Sequence, residues 1–339
     1  GGIEFGHDPI LFGFTGMQIA ERLVTVGIII LFLMINVRGA SETGTVGNII
    51  TIFKIVVLMA LVFFGIRAML NVPNWTAPFN DPSPLPNGFG GVLVAMGLTF
   101  VAFEGYEIIA QSGEELVNPE RNLPRAIFYS IAVVVVVYLL VAFVSIGALV
   151  QDSGLPNWVF LGQNAEKAMI RTAEAIMPYG ALLMILGGLA STTSALNATI
   201  YSSSRVSFAM GRGGDLPGFF GRVHRRNRTP VNAINLSGVL IIIMAVILPV
   251  EDVAGGASLT FLLLFLLTNL SLIQLRKKQP DLKRTFKVPW VPVLPIITIA
   301  VQGVLMIGLF DVSWIAWASA VIWTGLGIIV YFQLRKKQM

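Results

Sequence analysis

Gly91-Val92-Leu93-Val94-Ala95-Met96-Gly97-Leu98-Thr99-Phe100-Val101-Ala102-Phe103-Glu104-Gly105-Tyr106-Glu107-Ile108 is the stretch that decides how this chain is read. It starts as an apolar run, is interrupted by two carboxylates and a glycine among aromatic residues, and resumes its apolar phase at Ile108 before Gly113-Glu114-Glu115. The whole segment is long enough to cross a bilayer, which takes about 20 residues. An ionisable group at the bilayer centre is costly and usually faces a cavity or a partner. A helix broken at mid-membrane exposes backbone polar groups, which are tolerated only where they line a site. The interruption therefore reads as a solute-binding break. The plainer alternative is a kinked packing helix whose acids point to the cytoplasm.

The rest of the chain is equally apolar. Of 339 residues, 55% are hydrophobic and only 12% charged, and the mean hydropathy is +0.79. Soluble domains carry roughly 25% charged residues, so the chain reads as a polytopic membrane protein with no large soluble domain. It has no cysteine, which excludes disulfides, thiolate metal sites and a cysteine nucleophile. Its two histidines, His7 and His224, are far apart in sequence, whereas a zinc site gathers several such ligands. No metal, cofactor or catalytic residue is expected, and an enzyme is disfavoured. Gly211-Arg212-Gly213-Gly214-Asp215 lacks the preceding strand and terminal Lys-Ser or Lys-Thr of a phosphate loop, and reads as a turn after a long helix.

Nine apolar segments are expected, near 22–37, 46–69, 90–111, 127–150, 178–209, 232–249, 256–275, 291–310 and 313–333. Gly1 to Ala20 does not read as a signal peptide. The net charge of +5 raises nucleic-acid binding, but the basic residues sit in loops. Alternate loops on one side hold eighteen Lys and Arg residues and those on the other hold four. This asymmetry predicts a cytoplasmic C-terminus and, with nine spans, an external N-terminus, and no nucleic-acid partner. Of the outer loops, 151–178 has room for a short surface helix. Glu114, Glu115 and Glu120, among Arg121 and Arg125, read as a solvated ion-pair cluster.

Two further spans carry polar signals. Lys54 lies roughly 12 Å into the second span at 1.5 Å per residue. It is either a snorkelling lysine or a buried amine that responds to its neighbours and to pH. In the fifth span Gly187, Ser191, Ser194, Ala195, Ala198, Ser202 and Arg205 share a helical face. Such a face permits close helix packing, and it also offers oxygens to a cation or an ammonium group.

Four stretches together resemble the amino acid–polyamine–organocation transporter superfamily. Phe100 to Pro124 is similar to its sixth span, with an aromatic-rich break, Gly, aromatic, acid, then Asn118-Pro119, Arg121-Asn122 and Pro124. Asn48 to Gly65 resembles the fifth span with its internal lysine, Lys54. Tyr201 to Pro217 is similar to the end of the eighth span. Arg276 to Pro289, with Pro280, Arg284, Phe286 and Lys287, resembles the loop after the tenth.

The resemblance implies an all-α polytopic membrane protein of the leucine-transporter fold, built in the family from two inverted five-span repeats. The nine segments would be spans four to twelve, without the first three. Residues 1–88 would hold spans four and five, a remnant of the first repeat; 89–278 the second repeat, spans six to ten; and 279–339 spans eleven and twelve. The family's first span, whose Gly-rich break holds the substrate carboxylate, has no counterpart in this sequence.

In the family, backbone carbonyls of the broken sixth span hold the substrate's amino group. Carried over, this implies Phe100, Val101, Ala102 and Phe103, with Phe103 and Tyr106 as an aromatic wall, Gly105 at the break and Glu107 as the following acid. Glu104 stands where relatives are often apolar or small, and is a candidate specificity element. The resemblance also makes Lys54, partnered by Ser191 or Ser194, the proton-coupling group. The expected function is secondary active transport of an amino acid across the cell membrane by alternating access, coupled to a proton, with the lipid bilayer as the other partner. Alternatives are an amino acid-binding membrane sensor without transport, and sodium coupling or exchange.

Overall fold

The computed structural model describes residues 9–11, 14–39, 43–71, 76, 88–111, 113, 116–149, 156–164, 167–311 and 314–338. A short antiparallel pair, β1 (Pro9–Leu11) and β2 (Phe14–Thr15), comes first, and the regular elements that follow among the described residues are helices. Among the described residues, seven segments are long and apolar enough to cross a membrane: Ile19–Arg38, Gly47–Asn71, Gly88–Gln111, Pro119–Gly147, Gly180–Gly213, Val250–Lys278 and Trp314–Leu334. The protein is an all-α, multi-pass membrane protein. All nine expected segments contain a helix, but two of them, Val231–Ile247 and Val293–Gly308, fall short of membrane length among the described residues. Both begin beside a proline, Pro230 and Pro292, which sets where they start.

The chain forms two compact units. The first comprises residues 1–40, 89–121 and 197–339. In it α1 (Gly16–Arg38) packs on α9 (Val231–Ile247). Gly238 makes this possible, because a Cβ there would meet Leu33 Cδ1 at 2.3 Å. The ends of the two helices are stapled where Thr229 donates its hydroxyl to the Val37 carbonyl at 2.8 Å. That carbonyl is one of four at a helix end with no partner inside the helix.

The core of this unit lies among α10 (Val250–Lys278), α11 (Val293–Gly308) and α12 (Trp314–Gln338). Leu259, Leu262, Leu305, Leu309, Ala316 and Ala320 are buried together there. α3 (Gly88–Thr99) meets α11 through Gly97, whose Cβ position is 3.0 Å from Leu309, and Gly308, whose Cβ position is 3.3 Å from the Leu93 carbonyl. Apolar attraction between helices is weak in lipid, so such close approach at small residues carries the association.

The second unit comprises residues 41–88 and 122–196. Gly65 of α2 (Thr43–Asn71) accommodates Val144 of α5 (Pro119–Gly147), with Val144 Cγ1 1.8 Å from where a Cβ would stand. α5 starts earlier than the apolar pattern indicates. Pro119 occupies its first turn, where no N–H is needed, and Glu120 complements the positive helix end. Its far end is satisfied by Asn157, whose Nδ2 donates to the carbonyls of Ile146 (2.6 Å) and Leu149 (2.8 Å). The connection between α5 and the next long helix holds two short helices, α6 (Asn157–Asn164) and α7 (Ala168–Ile176). α8 (Gly180–Gly213) is the longest helix at 34 residues, roughly 50 Å at 1.5 Å per residue. It extends beyond the ~30 Å hydrocarbon layer, as its apolar length suggests.

Gly65→Leu should push α2 and α5 apart. Overpacking typically costs about 1–3 kcal/mol, so its melting midpoint in detergent should fall by several degrees. Gly188→Ala, where nothing lies within 4 Å of a new Cβ, should leave the midpoint unchanged or slightly raised.

Candidate functional site

The apolar run from Gly88 to Gln111 is not one helix. α3 ends at Thr99, residues Phe100–Phe103 form a single 3-10 turn, and α4 (Tyr106–Gln111) begins after the next two residues. The switch is built by two backbone events. Glu104 is extended, with φ −67° and ψ 152°, and its N–H donates to the Val101 carbonyl at 3.1 Å. Gly105 then turns the chain at φ +123°, a conformation that L side chains rarely adopt. Its N–H donates to Glu107 Oε2 at 2.7 Å. Glu107, in the first turn of α4, thus satisfies a donor and complements the helix end. The structure gathers Phe100, Val101, Ala102, Phe103, Glu104, Gly105, Tyr106 and Glu107 into this one break. Of the four candidate carbonyls, that of Val101 is engaged by Glu104.

Glu104 carries the unresolved polarity of the break. Its Oε1 is buried and has no hydrogen-bond partner among the described residues. A buried carboxylate oxygen without a partner is strongly unfavourable. A ligand that donates to it would remove that cost.

An aromatic brace holds the break, and its key member is not visible in the local sequence. Phe265, on α10, lies edge-on to Phe100 with ring centroids 6.2 Å apart, and stacks on Tyr106 at 5.8 Å. Phe261, one turn earlier, is 6.0 Å from Phe265. One ring therefore spans both sides of the interruption. The only signal for it in the sequence is the pair of phenylalanines four residues apart. Beyond the break, Ser202 of α8 donates to Gln111 Oε1 and ties the end of α4 to α8.

Lys54, Ser191 and Ser194 belong to the second unit. Val57 of α2 lies 3.1 Å from the Cβ position of Gly187 on α8. One turn further along α2, Leu61 shares a cluster with Leu183 and Met184. Numbers rise along α2 as they fall along α8, so the two helices are antiparallel here. Lys54 and Ser191 are each about one turn from the Val57–Gly187 contact, in the same direction. All three residues are partly buried. No hydrogen bond joins them among the described residues. Glu114, Glu115 and His7 lie outside the described residues. Arg171 and Glu174 form an ion pair at 3.0 Å on the surface of α7.

The amino acid permease family profile matches residues 10–332. The chain is similar to the branched-chain amino acid permease BcaP of Bacillus subtilis, at 31% identity over 299 residues, covering 88% of this chain and 61% of the relative. It is also similar to the methylthioribose transporter of Bacillus subtilis, at 30% over 316 residues (91% and 63%). The serine/threonine exchanger SteT of the same organism is 28% identical over 321 residues (92% and 70%). The chain spans about three fifths of the length of the first two relatives.

Gly105→Ala should destabilise the protein by about 1–3 kcal/mol, the usual cost of forcing a side chain into a sparsely populated backbone region. Nothing lies within 4 Å of the new Cβ, so the loss would be conformational and not steric. Gly90→Ala, also in open space but helical, should melt like the unaltered protein.

Proposed function

We propose that this chain, which belongs to the amino acid permease family, forms the part of a secondary transporter that binds an amino acid at the 100–107 break and moves it by alternating access. The observation that carries this reading is the broken helix within a membrane-length segment, with the buried, unpartnered Glu104 oxygen at its centre. A broken helix presents carbonyls and N–H groups that complement the charged ends of an amino acid. The family comprises permeases and not enzymes.

In this reading the protein has the leucine-transporter fold, with the described helices as spans four to twelve and the second inverted repeat over 89–278. It lies in the cell membrane, with the Arg- and Lys-rich loops and the C-terminus in the cytoplasm. Substrate identity is a matter for Glu104 and its neighbours, since the relatives are named for branched-chain amino acids, methylthioribose and serine/threonine. Exchange is a second reading, favoured by the relative named as a serine/threonine exchanger. Uptake of labelled amino acids into sealed vesicles tests the proposal. Accumulation above control vesicles supports transport, whereas binding without accumulation would identify a sensor. Dependence on preloaded internal amino acid would identify exchange.

Glu104→Gln converts an acceptor-only carboxylate, or a protonated acid, into an amide with two donors. It should reorder substrate preference in competition uptake by roughly tenfold or more, the scale of one buried hydrogen bond to a charged group. Folding, followed by size-exclusion profile, should change less. An unaltered ranking would remove Glu104 from the site.

Coupling is assigned to Lys54, with Ser191 or Ser194 as the oxygens that stabilise its charged form. The register set by Val57 and Gly187 supports this pairing. A cycle that alternately offers and withdraws those oxygens takes up and releases one proton. Lys54→Ala should therefore abolish the dependence of uptake on an imposed pH gradient in sodium-free buffer. Unchanged dependence on the gradient would exclude Lys54 as the coupling group.

A further inference from the structure

A cavity of about 720 Å³ opens where α1 ends and α9 begins. Its inner wall is apolar, formed by Ile30, Leu33, Met34 and Val37 of α1 with Val231 of α9. Its rim is basic and polar, formed by Arg38, His224, Arg226 and Asn227. A second cavity of about 400 Å³ shares His224 and Val231 and adds Arg222 and Arg225. No carboxylate is among the described residues lining either cavity. The basic side chains are exposed, and the ion pair among the described residues involves none of them.

The rim is held in place by its own loop. His224 donates its N–H to the Thr229 carbonyl at 2.9 Å, and Arg228 donates its N–H to the His224 carbonyl at 2.9 Å. The Thr229 hydroxyl ties this turn to Val37, at the end of α1. Four arginines, Arg38, Arg222, Arg225 and Arg226, and His224 thus line the cavities beside the N-terminus of α9, whose dipole adds to their attraction for an anion.

We propose that this groove binds the headgroup of an anionic phospholipid. The phosphodiester sits among Arg38, His224 and Arg226, and an acyl chain lies along Ile30, Leu33 and Met34. The two-part lining selects this occupant. A free phosphate uses the rim and leaves the apolar wall in contact with water. An acidic peptide does not reach Ile30, which is roughly 12 Å inside the membrane-spanning helix from Arg38 at 1.5 Å per residue. A lipid places its charge and its chain at these two depths, and basic pockets between spans at the membrane boundary suit such headgroups. Ile30 and Met34 are 44% and 49% exposed, so the wall is open to a chain in the bilayer. The site depends on the membrane spans and the basic loop, and is independent of whether the 100–107 break carries substrate.

The test is lipid retention by the purified protein in neutral detergent, read by native mass spectrometry during titration with phosphatidylglycerol or phosphatidylcholine. Phosphatidylglycerol should be retained in clear preference. Arg38→Gln combined with Arg226→Gln should weaken its retention by roughly twenty-five-fold, from about fivefold per arginine, and leave phosphatidylcholine unaffected. Lys277→Gln with Lys278→Gln, in the last turn of α10 and lining neither cavity, should change nothing. Met34→Trp fills the apolar wall while keeping every charge, and should also reduce retention; it carries the test if the double arginine variant fails to fold. Equal retention of the two lipids overturns the proposal, as does an equal loss in both double variants. Displacement of phosphatidylglycerol by equimolar glycerol phosphate would identify a soluble anion site instead.

Discussion

The structure depends on one constraint: a backbone polar group inside a bilayer must find its partner within the protein. Helices satisfy this automatically, and the chain obeys it almost throughout. The break at residues 100–105 departs from it locally, and the surrounding side chains compensate. Glu104 N–H turns back to Val101, and Gly105 N–H is taken by Glu107. The rings of Phe100, Tyr106 and Phe265 cover the turn. Among the described residues, Glu104 Oε1 is a buried side-chain atom of the interruption with no such answer. Polar cost concentrated on one atom is expected where a ligand completes the structure.

The same constraint explains the role of small residues. Apolar side chains gain little by leaving lipid for one another, so helix association depends on close contact. Gly65 receives Val144, Gly238 receives Leu33, and Gly97 and Gly308 let α3 and α11 approach each other's backbones. The outward surface is left to large apolar side chains, such as Leu139, Phe63 and Ile297, which are more than half exposed. For a soluble domain that exposure would be a liability, whereas on a membrane protein it suits contact with lipid.

The helices and the break were legible because their signals are local. Hydropathy marks the nine segments, and Glu104-Gly105 within an apolar run marks the interruption. The start of α5 at Pro119 was less legible, since a proline in the first turn of a helix resembles a proline in a loop. The brace at Phe265 was not legible, because it acts on Phe100 from more than 160 residues away. The basic cavity was read in the sequence only as a charge asymmetry between loops. Its shape comes from the Thr229–Val37 staple, which brings the loop over the end of α1 and has no periodicity to reveal it.

α8 shows how one helix can serve two ends. Its small and hydroxyl residues first read as a surface for packing or for cation contact, and different residues follow each course. In the half that belongs to the first unit, Asn197 accepts from Asn36 Nδ2 at 2.8 Å and Ser202 donates to Gln111, so polar side chains join helices. In the other half Thr192 and Thr193 return their hydroxyls to their own helix, at 3.0 Å to the Gly188 carbonyl and 2.7 Å to that of Leu189. Ser191, partly buried like Ser194, lies about one turn beyond the close contact of Gly187 with Val57, in the same direction as Lys54. Hydroxyls that no helix carbonyl has claimed can gain or lose a partner without breaking a helix. The division between hydroxyls bonded to their own helix and hydroxyls left uncommitted thus falls within a single turn of α8.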